Sequence, residues 1–124
     1  MRMSPKRFRE IAEEAVKALP AEFQPFLADC ALAVEPRASR EKLEELGVPE
    51  DEDLVGLYEG VALIDRHLDD LPGPPPRVTL SFKPLLEACA TEAELRREIQ
   101  LTVLHEVGHH FGLDEKRLEE LGFE

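Results

Sequence analysis

Within Leu101–Glu115, L-T-V-L-H-E-V-G-H-H-F-G-L-D-E, the run His105-Glu106-Val107-Gly108-His109 reads H-E-x-x-H, and three of the chain's four histidines fall in this stretch. The pattern carries chemistry only on a helix. With a rise of about 1.5 Å per residue, positions four apart stand on one face about 6 Å from each other, so two imidazoles can converge on one ion at about 2.1 Å. On a wheel of about 100° per residue, Glu106 falls beside the His105/His109 stripe, within reach of a water on that ion. A chain built on this motif has to hold one helix firmly against a core while leaving a polar strip of it open to a cleft.

The flanking residues specify such a helix. Thr91 followed by Glu94 predicts a capping box, and Glu92 adds negative charge to the first turn. Val103, Leu104, Val107 and Phe111 make a broad apolar face, widened by Leu101, while Glu98, Thr102, His105, Glu106 and His109 share the remaining polar sector. Gly112 stands where a helix stops in the left-handed conformation. With a water in the fourth position the site is of the open, catalytic kind. The chain follows the metzincin pattern H-E-x-x-H-x-x-G-x-x-H as far as Gly112, but Glu115 occupies the place of the last histidine, and the only methionines, Met1 and Met3, exclude a Met-turn. Glu115 is thus the expected third metal ligand, with Asp114 the alternative one residue off. His110 is expected to pack or to donate a hydrogen bond rather than to ligate.

Beyond the motif, L-Y-E-G-V-A-L at Leu57–Leu63, R-V-T-L-S-F at Arg77–Phe82, H-E-V-G-H-H-F-G-L-D-E at His105–Glu115 and the closing L-G-F run the length of the chain. On these residues the sequence resembles the minimal zincin family of small bacterial zinc metallopeptidases. The resemblance implies an α+β, zincin-like single domain over residues 1–124, with a small sheet of about three strands against which the H-E-x-x-H helix packs. It also implies that extended substrate pairs with an edge strand beside the metal helix. That makes Leu57–Ile64 the candidate segment and Tyr58, Glu59 and Gly60 the candidate substrate-binding residues. From the sequence itself this segment reads only as extended, with Gly60 marking a bulge or close approach, and Tyr58 fits a packed strand position equally well.

At 124 residues the chain suits one domain with a modest core. It shows no signal peptide and no apolar run long enough to cross a membrane, so a cytoplasmic bacterial protein is the expectation. A net charge of −12 argues against nucleic acid and anionic membranes as partners. Cys30 and Cys89 are not closely spaced and are expected to stay reduced. Asn is absent and Pro numbers 10, which fits a thermophilic source or a high-GC genome equally.

In chain order, Ser4 caps a helix that opens on Pro5, buries Phe8, Ile11, Ala12, Ala15, Val16 and Leu19, and stops at Pro20. Cys30–Glu35 reads as a strand with Leu32 and Val34 on one face, ended by Pro36. Ser39 caps a short helix through Leu46, closed by Gly47. Glu50-Asp51-Glu52-Asp53 reads as a solvated acidic loop without the EF-hand ligand pattern. His67 falls in a charged loop, and Leu71–Pro76 is a stiff, polyproline-like spacer. Val78, Leu80 and Phe82 alternate with polar neighbours as the clearest strand, and Pro84 opens a short helix to Ala90. A last helix is expected over Asp114–Leu121, ending at Gly122.

The expected function is zinc-dependent hydrolysis of an amide bond in a peptide or protein, with His105, His109 and Glu115 as ligands and Glu106 as general base. Two other classes stay open: a metal-dependent endoribonuclease-like hydrolase, which the acidity disfavours, and a metal- or peptide-binding module without catalysis. The two candidates for third ligand separate by mutation. Glu115→Ala is expected to weaken zinc binding in calorimetry while leaving the fold intact. Asp114→Ala is expected instead to lower the melting temperature by a few degrees, about what loss of a ~1 kcal/mol helix cap does in a domain of this size. The reverse pattern would show that the turn after Gly112 delivers Asp114.

Overall fold

Short apolar stretches separated by proline and glycine leave each element of this chain too small to stand alone, and the fold is set by what they bury together. The computed structural model describes residues 1–28, 30–49, 52–59, 76–112 and 115–123, with the backbone alone described for 109–111. Helix α1 (Pro5–Lys17) begins where its cap predicts, with the Ser4 hydroxyl accepting from the Arg7 amide at 3.1 Å. A 3₁₀ turn (Ala21–Phe23) and α2 (Gln24–Leu27) lead to β1 (Ala31–Glu35). Helix α3 (Arg40–Glu45) is capped by Ser39 and closed by Gly47 at φ 71°. Then come β2 (Gly56–Glu59), β3 (Arg77–Ser81), α4 (Phe82–Ala88), α5 (Glu92–Phe111) and α6 (Glu115–Glu120).

The three described strands form one sheet in the order β1-β3-β2. Strand β1 pairs with β3 in parallel and β2 pairs with β3 antiparallel, with Tyr58 opposite Val78 and Glu59 opposite Arg77. The alternation read from the sequence sorts the sheet into two faces. Leu32, Val34, Gly56, Tyr58, Val78 and Leu80 lie on the side of α1 and α5, where the core gathers. The other side carries Leu57, Glu59, Arg77, Thr79 and Ser81, which line a cavity of about 330 Å³ beneath α3. The architecture is α+β, as the sequence implies.

The long helix α5 fills the middle. Leu95, Ile99, Val103, Leu104 and Val107 are all buried to 1% exposure or less. Against them lie Phe8, Ile11, Ala12 and Ala15 of α1 in the same core. Thr91 caps α5 as predicted, its hydroxyl accepting from the Glu94 amide at 3.2 Å, while the Glu94 carboxylate accepts from the Ala90 amide at 2.7 Å, one residue before the position a capping box normally uses.

Two sequence expectations are corrected here. The strand expected through Phe82 ends at Ser81, and Phe82 instead opens α4, two residues before Pro84 and with the helix finishing at Ala88. The period-2 pattern continued by coincidence. Pro84 is accommodated in the first helical turn, where a missing amide costs nothing, and Phe82 turns its ring edge-on to Phe8, centroids 5.7 Å apart. Thr102, assigned to the polar sector of α5, is 8% exposed. The reason is Gly56: a Cβ there would collide with Thr102 Cγ2, so helix and strand meet more closely than any other residue at 56 would permit. The expectations placed on Gly60–Ile64, His67 and residues 71–75 lie outside the described residues. Gly56→Ala is expected to destabilise the domain by about 1–3 kcal/mol, the usual cost of overpacking, and Gly56→Ala with Thr102→Ser to recover much of that loss by removing the opposing methyl. Equal midpoints for the single and double variants in urea denaturation would show that the contact relaxes elsewhere.

Candidate metal centre

Helix α5 delivers the motif as one uninterrupted element. Its last turn closes at Gly112, which takes φ 61° and ψ 38° and donates its amide to the Gly108 carbonyl. That left-handed residue turns the chain away from the helix axis, as its place in the sequence predicts. Three residues on, Glu115 begins α6, whose first turn favours an acidic side chain.

His105 is exposed on α5, on the side away from the buried Leu104 and Val107. It shares a cavity of about 370 Å³ with Glu115, Leu118, Glu119 and Phe123. Glu115, the first residue of α6, thus lies beside the space that His105 faces. His109 lies one turn beyond His105 on the same helix; its side chain, like that of His110, is outside the description, as is Asp114. Among the described residues, no three His, Cys, Asp or Glu side chains gather in a group that could hold a metal ion. The donors that line the cavity, an imidazole and two carboxylates, are of the kinds zinc accepts.

The far wall of the cavity is fixed from outside. Arg117 of α6 grips Glu22 with two hydrogen bonds, Nε at 3.1 Å and a terminal nitrogen at 2.8 Å. The hydrogen bond from Arg117 holds the Glu22 carboxyl below its usual range, outweighing the opposing effect of burial. Because the folded-state value is the lower one, this pair steadies α6 above the ordinary carboxylate pKa and lets go as pH falls through the depressed value. The pair is largely exposed, so its contribution is small. Leu118 and Phe123 are buried beneath, with the Arg97 guanidinium 5.1 Å from the centre of the Phe123 ring.

Glu106 is half-buried and turned toward the sheet. Its Oε2 accepts a hydrogen bond from the backbone amide of Tyr58 at 3.3 Å. The two candidate substrate residues within the description lie elsewhere. Tyr58 is 5% exposed and packs in the core, so it meets the site through its main chain. Glu59 lies on the opposite sheet face, where Lys42 and Arg77 approach it at 3.3 and 3.2 Å. Burial resists its ionisation, but hydrogen bonds from Arg77 and Lys42 prevail and its carboxyl titrates below the ordinary value. The third candidate, Gly60, lies outside the described residues.

Sequence reasoning passed over Gly56 and Glu119, and placed Thr102 only on the polar strip of its helix. Glu119 had a readable signal, since it stands four residues after Glu115 on the same helical face. Gly56 had none, because nothing local distinguishes a glycine that admits a helix from one in a loop. Cys30 and Cys89 are both unpaired thiols, and burial pushes each thiol's pKa up, which keeps them protonated and poor metal donors.

A sequence profile described as zincin-like metallopeptidase matches residues 27–123. Among solved structures, a conserved hypothetical protein from Thermus thermophilus superposes with a TM-score of 0.54 at 20% identity, covering 95% of this chain and 96% of its own, which is a likeness of fold. No curated protein matches the chain. No helix among the described residues is long and apolar enough to cross a membrane.

Zinc titrated into metal-free protein at neutral pH is expected to bind at about one ion per chain. Binding should weaken below about pH 6, where protons compete for imidazole nitrogens. Calorimetry in which His105→Ala binds zinc as the parent does would remove His105 from the ligand set.

Proposed function

The chain belongs to the zincin-like metallopeptidase family, and from that membership we propose that it is a zinc-dependent peptidase whose general base is Glu106. The observation that carries this reading is the placement of Glu106 on α5 between the cavity-lining His105 and β2, the outer strand of the described sheet. His105, His109 and Glu115 would hold the ion, with Glu115 supplied by the turn at Gly112. Bound zinc supplies Lewis-acid polarisation of the scissile carbonyl.

The protein's own residues do the rest. Peptide lies as an extended strand near β2, and its backbone carbonyl is presented beside Glu106. The Glu106 carboxylate takes a proton from the attacking water and returns it to the leaving nitrogen, so one side chain serves as base and then acid. Its partly buried position shields it from bulk solvent while keeping the backbone donor that orients it. The acidic surface, net −12, favours cationic over anionic peptides.

Glu106→Gln keeps the shape of the side chain but has no basic oxygen to take a proton. Zinc affinity near that of the parent, with peptide hydrolysis reduced at least about a hundredfold, is the expected outcome. A peptide library supplies the substrate and a structured RNA serves as the control. Turnover retained in the zinc-loaded Glu106→Gln protein would place the base elsewhere.

A further inference from the structure

In an antiparallel ladder, residues alternate between those whose amides face the partner strand and those whose amides face away. The Ser81 amide donates to the Val55 carbonyl at 2.9 Å, so the pairs Val55/Ser81, Leu57/Thr79 and Glu59/Arg77 face inward across β2 and β3. The main-chain groups of Gly56 and Tyr58 therefore point to the outer edge of the described sheet. An outward amide on an edge strand is ordinarily a place where another chain can pair. At Tyr58 it is directed to the Glu106 carboxylate.

The match between the two elements is metric. Gly56 and Tyr58 stand about 6.6 Å apart along the strand, two residues at about 3.3 Å each. Thr102 and Glu106 stand about 6 Å apart along the helix, four residues at about 1.5 Å each. Thr102 meets Gly56 and Glu106 meets Tyr58, so the two contacts are successive steps of one register. The first sets the distance for the second: a side chain at 56 would push α5 outward and take the carboxylate from the amide.

We propose that the Tyr58 backbone amide is the positioning group of the Glu106 base, and that Gly56 is the residue that gives it its reach. This rests on the peptidase reading above. One carboxylate oxygen is fixed by the amide, which sets the orientation of the group and leaves the other oxygen to exchange a proton with the reacting water. A hydrogen bond to a charged acceptor is strong enough to select that orientation. The same contact takes the Tyr58 amide out of strand pairing, so extended peptide cannot use that donor and its pairing is offset from Tyr58.

The test uses the full chain, zinc-free for spectroscopy and zinc-loaded for kinetics. In ¹⁵N-labelled protein the Tyr58 amide proton is expected to move upfield in Glu106→Ala, with deuterium exchange faster by about tenfold. Glu106→Gln, whose amide carbonyl can still accept, is expected to retain most of the parental signal. Gly56→Ala is expected to reproduce the Glu106→Ala signal and to lower kcat on a cleaved library peptide by about a hundredfold, with KM and zinc affinity near parental. Adding Thr102→Ser should restore both the signal and kcat. A Tyr58 amide indifferent to Glu106→Ala overturns the proposal, as does a Gly56→Ala protein with a displaced Tyr58 signal and parental kcat. Should Gly56→Ala fail to fold, the Glu106→Ala spectrum decides. A parent protein that cleaves no peptide defeats the peptidase reading, while the Tyr58 signal still decides the contact.

Discussion

Burial of one stripe of α5 organises the molecule. Leu95, Ile99, Val103, Leu104 and Val107 span four turns, and each is enclosed by α1, by the sheet or by α4. At about 25 cal/mol for each Å² of apolar surface withdrawn from water, side chains of this size contribute about 1.5–3 kcal/mol apiece. No other described element supplies a comparable run. Strands of four or five residues, such as β2 and β3, gain their stability mainly by lying against this stripe. The polar side of the same helix is then held at a fixed distance from the sheet, and a site placed there inherits the rigidity of the core.

Charge does a different and smaller job. Arg96 meets Glu14 at 2.7 Å, Arg7 meets Glu92 at 3.3 Å, and Arg117 meets Glu22 at 2.8 Å. All are substantially exposed, and pairs of this kind are worth at most about 1 kcal/mol each. Their value lies in where they connect: α1 to α5 twice, and α6 to the turn after α1. The last connection bears on the site, because α6 carries Glu115 and Glu119 and buries little beyond Leu118. The acidic surplus of the chain is therefore not spread evenly in effect. Some carboxylates are fastened to arginines as structural ties, and Glu115 and Glu119 line the cavity beside His105.

The sequence disclosed the punctuation of the fold better than its contacts. Ser4 with Pro5, Ser39 with Gly47, and Thr91 with Gly112 each mark a helix boundary through a local hydrogen bond or a left-handed residue. All three helices begin where these predict and the last two also close there, whereas the first ends at Lys17, short of the stop expected at Pro20. The strand around Val78 and Leu80 was legible from alternation, and Phe82 was misassigned because alternation does not say where pairing ends. Gly56 was silent for a deeper reason. Its role depends on Thr102, 46 positions away in the numbering, and no rule of local propensity or periodicity reaches that far. Tyr58 was noticed as a side chain, but it reaches Glu106 through its amide, which every residue other than proline possesses. Chemistry carried by side chains leaves a mark in the sequence, and chemistry carried by backbone does not.

Under the proposed mechanism, that distinction explains how so short a chain could arrange its catalytic carboxylate. A side-chain donor aimed at Glu106 would need its own rotamer locked by further packing, and a domain of this size has few residues left for such support. A backbone amide on a paired strand is already fixed by its ladder, so its direction comes with the fold. What the chain must then supply is proximity, and it does so by removing a side chain rather than adding one. With glycine at 56, the helix settles against the strand until Thr102 stops it, and at that separation the Glu106 carboxylate reaches the Tyr58 amide one step along. The contact that completes the core and the contact that would orient the proposed base are adjacent teeth of the same interface. In the proposed mechanism, loosening the first displaces the second, so that stability and reactivity would be coupled through α5 and β2.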